Sequence, residues 1–124
     1  MPLRIGTRAS KLARWQAEWT AVRLQALGEQ TELVEISTRG DVDRRQPVAA
    51  LGATGVFTKE IQTALLKRRV DVAVHSLKDL PTAQILGLTI AAIPAREDPA
   101  DALISHAGAL DDLPPGARIG TGSL

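Results

Sequence analysis

The chain has 124 residues, which suits one domain of ordinary size, and its 15 basic and 14 acidic residues leave a formal net charge of +1. This balance argues against a nucleic-acid or membrane-surface protein, and the lack of cysteine excludes disulfides and cysteine-based metal sites. Trp15, Trp19 and Phe57 are the aromatic residues, too few for a stacking platform. The sequence shows neither a signal-peptide pattern nor a membrane-spanning apolar stretch, so we expect a cytoplasmic protein.

The chain opens with a strand and a long helix. Leu3–Thr7 is a short apolar segment that predicts a strand. The stretch Ser10–Leu27 has apolar residues at spacings of three and four, which predicts an amphipathic helix. These residues are Leu12, Trp15, Trp19, Val22 and Ala26. Ser10 is a candidate N-cap, and Gly28 stands where a helix end favours a left-handed residue.

The middle of the chain predicts a strand, a loop and a second helix. A strand is expected at Leu33–Ile36, followed by a turn at Thr38–Asp41. Residues 42–54 have little periodicity and predict a mobile loop. Thr58–Arg68 predicts a helix with four inward-facing apolar residues near or within it. These are Phe57, Ile61, Ala64 and Leu65.

Four later segments have the composition of strands. Val70–Val74 and Leu88–Ile93 are apolar and predict buried strands. Ala102–Ile104 and Arg118–Gly120 are shorter candidates, separated by a turn at Pro114–Gly116. The sequence stops on a strand-to-loop transition with no helix after it, so we expect a truncated second domain.

Alternation of apolar strands with helices predicts an α/β fold with helices on both faces of a sheet. Ligands of such sheets bind beyond the carboxyl ends of the strands. Three polar segments follow predicted strands: Thr7–Arg8, Thr38–Arg39 and His75–Asp79. We therefore expect a functional site at this rim.

Each candidate residue at the rim has two interpretations. Lys78 and Asp79 could hold a carboxylate and an N–H-rich cation, or form an ordinary surface ion pair at a helix start. Arg8 beside a helix N-terminus is an anion-binding arrangement, or simply an exposed arginine next to a routine cap. His75 has no second ligand at metal-binding spacing, so we expect a hydrogen-bonded histidine and no metal site.

Six motifs, in order along the whole chain, resemble those of the porphobilinogen deaminase (hydroxymethylbilane synthase) family. They are Ile5–Ala13, Thr38–Asp41, Gly55–Glu60, Asp71–Pro81, Arg96–Ala102 and Ile119–Leu124. The resemblance implies head-to-tail condensation of four porphobilinogen molecules into hydroxymethylbilane, with release of ammonia, on the route to haem and chlorophyll. It also implies a dipyrromethane cofactor attached to a cysteine in a third domain, and this sequence contains no cysteine.

The same resemblance implies roles for individual residues. Asp79 matches the catalytic aspartate, which stabilises the positive charge that develops as ammonia leaves. Six further residues match positions that bind cofactor or substrate. They are Arg8, Ser10, Gln16, Lys78, Thr121 and Ser123. Three positions depart from the family pattern, because Ala50 and Thr54 stand where lysine is common and Gly122 stands where serine is usual.

The family resemblance gives an expected architecture. We expect a lobe like those of periplasmic binding proteins, with helices on both faces of a mixed sheet. Residues 1–98 would form an incomplete first domain and residues 99–124 the start of a similar second one, with the third domain absent. Such a chain is expected to be inactive by itself. The full-length protein of the family is expected to be a monomer without nucleic-acid or membrane partners. The alternatives are a non-enzymatic lobe that binds a small carboxylate and a degenerate remnant.

Overall fold

A computed structural model of the chain describes residues 1–37 and 58–122. Several predictions therefore lie outside the described residues: the turn at Thr38–Asp41, the loop at 42–54 with Ala50 and Thr54, the side chain of Phe57, and Ser123. The chain divides into two compact units, residues 1–91 and 92–124, and each is described by itself.

A three-stranded parallel sheet forms the centre of the first unit. Strand β1 (Leu3–Thr7) lies between β2 (Thr31–Glu35) and β3 (Val72–Ala73). Leu3 aligns with Thr31 of β2, and Ile5 aligns with Val72 of β3. The predicted mixed sheet is not seen among the described strands, because helical connections of the βαβ type return neighbouring strands in the same direction.

Among residues 1–37 and 58–122, two helices accompany this sheet. Helix α1 (Lys11–Ala26) connects β1 to β2, and Gly28 follows it with φ of 93°, as predicted. Helix α2 (Lys59–Leu66) precedes β3 and is shorter than the predicted Thr58–Arg68. The helix ends there because Arg68 takes a left-handed conformation, with φ of 53°, and the Arg69 N–H bonds back to the Ala64 carbonyl at 2.8 Å.

The helices cover opposite faces of the sheet, as the sequence predicted. Successive strand residues point to opposite faces, so neighbouring positions belong to different clusters. The α1 cluster contains Ile5, Ala17 and Ala21, with Leu24, Val72 and Val74 packed against it. The α2 cluster contains Ile36, Ile61, Ala64 and Val70, with Val34, Leu65 and Ala73 packed against it.

The face of α1 that packs on the sheet is not the apolar stripe that predicted the helix. Ala17 is fully buried and Ala21 is 6% exposed, whereas Leu12, Trp15 and Val22 are each more than half exposed. Small side chains allow close approach of helix and sheet, so burial here follows size rather than hydrophobicity. Leu12, Trp15 and Val22 thus form an outward-facing apolar stripe.

Strand β3 is held beside β1 by a paired arginine and aspartate. The Arg4 guanidinium donates two hydrogen bonds to the Asp71 carboxylate, at 2.7 and 2.9 Å, and the Arg4 N–H donates a third at 2.9 Å. The Asp71 N–H in turn donates to the Arg4 carbonyl at 2.9 Å. These bonds hold the pKa of Asp71 at about 2, below its usual 3.8.

Three predicted strands are wrong. The residues of Leu88–Ile93, Ala102–Ile104 and Arg118–Gly120 form no strand, and their large side chains are largely exposed: Ile90 is 57% exposed and Ile104 is 98% exposed. An apolar segment becomes a strand only beside another strand, and no described segment pairs with these three. The predicted turn at Pro114–Gly116 is confirmed by a bond of 3.1 Å from the Ala117 N–H to the Pro114 carbonyl.

The described part of the second unit contains one element of regular structure. This is a single 3-10 turn, Leu110–Asp112, and the Asp112 carboxylate accepts the Ala109 N–H at 2.9 Å. Across residues 1–37 and 58–122, no helix has the length and apolar character needed to cross a membrane.

The Arg4–Asp71 pair predicts a specific dependence of stability on pH. A carboxylate with a lowered pKa stabilises the fold above its unfolded pKa, and this contribution is lost as the pH falls from 3.8 towards about 2. We expect Asp71→Asn to lower the free energy of unfolding at neutral pH and to flatten its decline across that acidic window. Urea denaturation at several pH values measures both effects. Asp101→Asn, at an exposed aspartate, is the control, and equal acid profiles for the wild-type chain and Asp71→Asn would contradict the account.

Candidate functional site

The candidate site lies at the carboxyl ends of β1 and β3. After β1 the chain enters α1 and leads to β2 on one side, while β3 lies on the other side of β1. In α/β sheets, ligands bind in crevices at the carboxyl ends of neighbouring parallel strands such as these. A cleft of about 250 Å³ is found there. It is lined by Arg8, Ser10, Leu12, Ala13, Gln16, Val74, His75, Ser76, Lys78 and Asp79.

Five of the predicted site residues meet in this cleft. Arg8, Ser10 and Gln16 come from the β1 side, and Lys78 and Asp79 come from the β3 side, more than 60 positions later in the sequence. Parallel pairing of β1 and β3 brings the two groups together. Thr121 belongs to the second unit, and Ser123 lies outside the described residues.

The β1 side of the cleft is the N-terminus of α1. Thr7, at the end of the strand, is 2% exposed, and the half-buried Arg8 follows it. The Ser10 hydroxyl caps the helix by accepting the Ala13 N–H at 3.3 Å. A capping hydroxyl keeps its own proton, so Ser10 can donate to a ligand while it caps. The helix dipole and the arginine together make this side favourable for an anion.

The β3 side is a single 3-10 turn that carries two opposite charges. The turn spans Leu77–Asp79 and is closed by a bond of 3.0 Å from the Asp79 N–H to the Ser76 carbonyl. No ion pair joins Lys78 to Asp79, although both line the cleft. The expected alternative, an ion pair between these two groups, is therefore wrong, and both charges face the same space.

A hydrogen bond joins the two sides of the cleft. The Ser76 hydroxyl donates to Gln16 Oε1 at 3.3 Å. Sequence reasoning missed Ser76, although the serine begins the Leu77–Asp79 turn and such residues favour turn starts. His75 also lines the cleft, with Nδ1 3.2 Å from the Ser76 carbonyl. In residues 1–37 and 58–122, no cluster of three or more His, Asp or Glu side chains could hold a metal ion.

The chemistry of the cleft suits a ligand that carries both carboxylates and N–H donors. Arg8, Lys78 and the α1 N-terminus can bind carboxylates, and the hydroxyl of Ser10 can donate to them. The Asp79 carboxylate can accept N–H groups or stabilise a cation. A simple anion would leave the Asp79 carboxylate without a ligand partner, and a simple cation would do the same for Arg8 and the α1 N-terminus.

Comparison with known proteins places the chain among deaminases. Residues 3–124 match the family model described as "Porphobilinogen deaminase, dipyromethane cofactor binding domain". The chain is 51% identical to porphobilinogen deaminase of Geobacter metallireducens over 124 residues, which cover 98% of this chain and 39% of that protein. It is 54% identical to porphobilinogen deaminase 1 of Streptomyces coelicolor, and this match covers 98% of this chain and 38% of that protein. The chain is also 54% identical to the Acidithiobacillus ferrooxidans porphobilinogen deaminase, and this match covers 98% of this chain and 41% of that protein. The chain thus spans about 40% of the length of these relatives.

Capping by Ser10 makes a measurable prediction. Ser10→Ala removes the acceptor of the Ala13 N–H, so we expect the free energy of unfolding to fall by about 1 kcal/mol. Ser10→Asn restores a capping oxygen and should stay within a few tenths of a kcal/mol of the wild-type chain, since asparagine caps as well as serine. Urea denaturation compares the three proteins, and equal stability of the alanine and asparagine variants would contradict the capping role.

Proposed function

The chain belongs to the porphobilinogen deaminase family, and from this premise we propose that its cleft takes part in hydroxymethylbilane synthesis. In this reaction four porphobilinogen molecules condense head to tail and each releases ammonia. The observation that carries the proposal is the meeting of Asp79 with Arg8 and Lys78 in one cleft. Porphobilinogen is a pyrrole that carries an acetate, a propionate and an aminomethyl group, so it presents an N–H donor and two carboxylates together.

We propose that the two sides of the cleft bind different parts of this substrate. Arg8, Ser10 and the α1 N-terminus hold a carboxylate from the β1 side, with Gln16 as a further hydrogen-bonding partner. Lys78 holds a carboxylate from the β3 side. The Asp79 carboxylate accepts the pyrrole N–H. This arrangement fixes the ring relative to the chain, which is the positioning that a condensation requires.

Asp79 is the proposed catalytic residue. As the bond between the methylene carbon and the nitrogen of the protonated aminomethyl group breaks, neutral ammonia leaves and the positive charge passes to the pyrrole. A fixed carboxylate beside the pyrrole N–H stabilises that charge in the transition state more than in the ground state. The methylene carbon then bonds to the free end of the growing chain, which loses a proton.

The residues of the cleft also fit a dipyrromethane cofactor. Two linked pyrroles with acetate and propionate groups present the same N–H donors and carboxylates as the substrate, so one set of donors and acceptors serves both. When bound, the cofactor supplies the free pyrrole end from which the chain grows. The 124 residues contain no cysteine, so the cofactor contacts proposed here for Arg8 and Lys78 are non-covalent. For Thr121 and Ser123 the family resemblance alone supports a role in cofactor binding.

The remaining features of the proposal follow from the family. We propose that residues 1–98 belong to a first domain that resembles a lobe of a periplasmic binding protein, and that residues 99–124 begin a second. The proposed partners are porphobilinogen and the growing polypyrrole chain, with no nucleic acid and no membrane. We propose a cytoplasmic monomer.

A chimera tests this function directly. Residues 1–124 of this chain replace the matching part of the Geobacter metallireducens deaminase, to which they are 51% identical. We expect the chimera to consume porphobilinogen and release ammonia. Asp79→Asn should lower kcat/KM by about 100-fold or more, because it removes the charge that stabilises the transition state.

Asp111→Asn is the matched control, since this exposed aspartate lies outside the cleft, and its activity should stay within about twofold of the chimera. Equal activity of Asp79→Asn and the chimera would overturn the assignment of Asp79. A folded but inactive chimera that still binds small dicarboxylates would instead favour a non-enzymatic binding lobe. A folded chimera that neither reacts nor binds would favour a degenerate remnant.

A further inference from the structure

We propose that Ser76 is a positioning residue, which tethers the turn that carries Asp79 to helix α1 through Gln16. The proposal deepens the deaminase function and rests on it, because it explains how Asp79 is aimed at the substrate. Ser76 belongs to neither the predicted binding set nor the catalytic role. Its hydroxyl donates to Gln16 Oε1 at 3.3 Å, and both side chains are part-buried in the wall of the cleft.

The aim of Asp79 depends on the backbone that carries it. No described residue hydrogen-bonds to its carboxylate or pairs with it, so no hydrogen bond or ion pair within residues 1–37 and 58–122 orients the group. What fixes its position is the 3-10 turn, closed by the bond from the Asp79 N–H to the Ser76 carbonyl. A displacement of Ser76 therefore moves Asp79.

Ser76 connects this turn to the rest of the site through two groups. Its carbonyl accepts the Asp79 N–H at 3.0 Å and lies 3.2 Å from His75 Nδ1. Its hydroxyl reaches across the cleft to Gln16. A single 3-10 turn is weak by itself, because it contains few hydrogen bonds and their geometry is poor. The bond to a 16-residue helix supplies an anchor that the turn lacks.

The same bond orients the side chain of Gln16. Because Oε1 accepts from Ser76, the amide nitrogen is the end left to donate to a ligand, and its two N–H groups suit a carboxylate. Gln16 lies on α1 after the capping Ser10, on the side of the cleft that the proposed function assigns to a carboxylate. Ser76 thus fixes the position of Asp79 and also determines that the amide nitrogen of Gln16, on the opposite side, faces the ligand.

The spacing between the two sides matters because one substrate molecule spans them. Its carboxylate binds the α1 side while its pyrrole N–H binds Asp79, so the distance between these groups must match the ring. Misplacement of a reacting group by about 1 Å can lower a rate by about 100-fold. A tether across the cleft holds this distance before the substrate arrives.

The first test uses the 124-residue chain and needs no activity. Hydrogen exchange of the Asp79 backbone N–H, followed by NMR, reports the opening of the turn. We expect Ser76→Ala and Gln16→Ala each to speed this exchange by about threefold to tenfold, the effect of one lost hydrogen bond. The double variant should exchange no faster than the faster single variant, because both changes remove the same bond. Ser76→Thr keeps the hydroxyl and should restore protection.

The second test measures kinetics in the chimera described above. Ser76→Ala should lower kcat by about tenfold, because Ser76 positions Asp79, and should raise KM by a smaller factor, because Ser76 also orients the Gln16 amide. In the Gln16→Ala background the same change should leave kcat unaltered. Ser105→Ala and Gln25→Ala, which remove side-chain hydrogen bonds outside the cleft, should leave kcat within about twofold.

The two tests separate the tether from the function. Equal exchange of the Asp79 N–H in the wild-type chain and Ser76→Ala would overturn the tether, whatever the chimera does. Additive losses of Ser76→Ala and Gln16→Ala would overturn it as well, because independent sites add. Faster exchange in Ser76→Ala with kcat unchanged would show that the turn is tethered but that the tether does not position Asp79 for catalysis. Faster exchange with an inactive parent chimera would place the failure in the proposed function.

Discussion

Parallel pairing of β1 with β3 is the constraint on which the site depends. The pairing covers only two aligned residue pairs, Ile5 with Val72 and Gly6 with Ala73. Such a short ladder would be weak alone, but Arg4 adds three hydrogen bonds to the Asp71 carboxylate just before it, two from its guanidinium and one from its backbone N–H. The clamp stands at one end of β3 and the cleft at the other. It therefore sets where the Lys78–Asp79 turn emerges beside the N-terminus of α1.

Small residues at the sheet allow the helices to approach it closely enough for this geometry. A Cβ atom at Gly6 would lie 3.1 Å from Val70 and 3.2 Å from Ile36, so a side chain there would push the α2 cluster outward by a few tenths of an ångström. On the opposite face Ala17 and Ala21 bring α1 down onto Ile5. On both faces of the sheet, small residues therefore allow the helix to pack closely against the strands. The larger apolar groups of α1, Leu12, Trp15 and Val22, point outward instead.

Local signals in the sequence predicted what local interactions decide. The Ser10 cap, the left-handed Gly28 after α1 and the turn at Gly116 depend on neighbours in the chain, and the structure has all three. The prediction of a strand at Leu88–Ile93 was wrong because an apolar segment forms a strand only when another strand pairs with it. Such pairing joins residues far apart in the chain, so local sequence does not reveal it. The buried face of α1 was hidden because alanine gives a weak hydrophobic signal. Asp79 and Arg8 could be found because they follow apolar strands, but the bond between Ser76 and Gln16 spans 60 positions and has no signature in sequence.

We propose that the ends of β1 and β3 form one cleft for a pyrrole that carries carboxylates. Titration of the ¹⁵N-labelled chain with porphobilinogen, followed by NMR, tests this claim most directly. The account predicts that backbone amides on both sides, Arg8–Ala13 and Ser76–Asp79, shift together and saturate with one Kd. Shifts confined to one side, or centred on the basic run Lys67–Arg69 before β3, would contradict it.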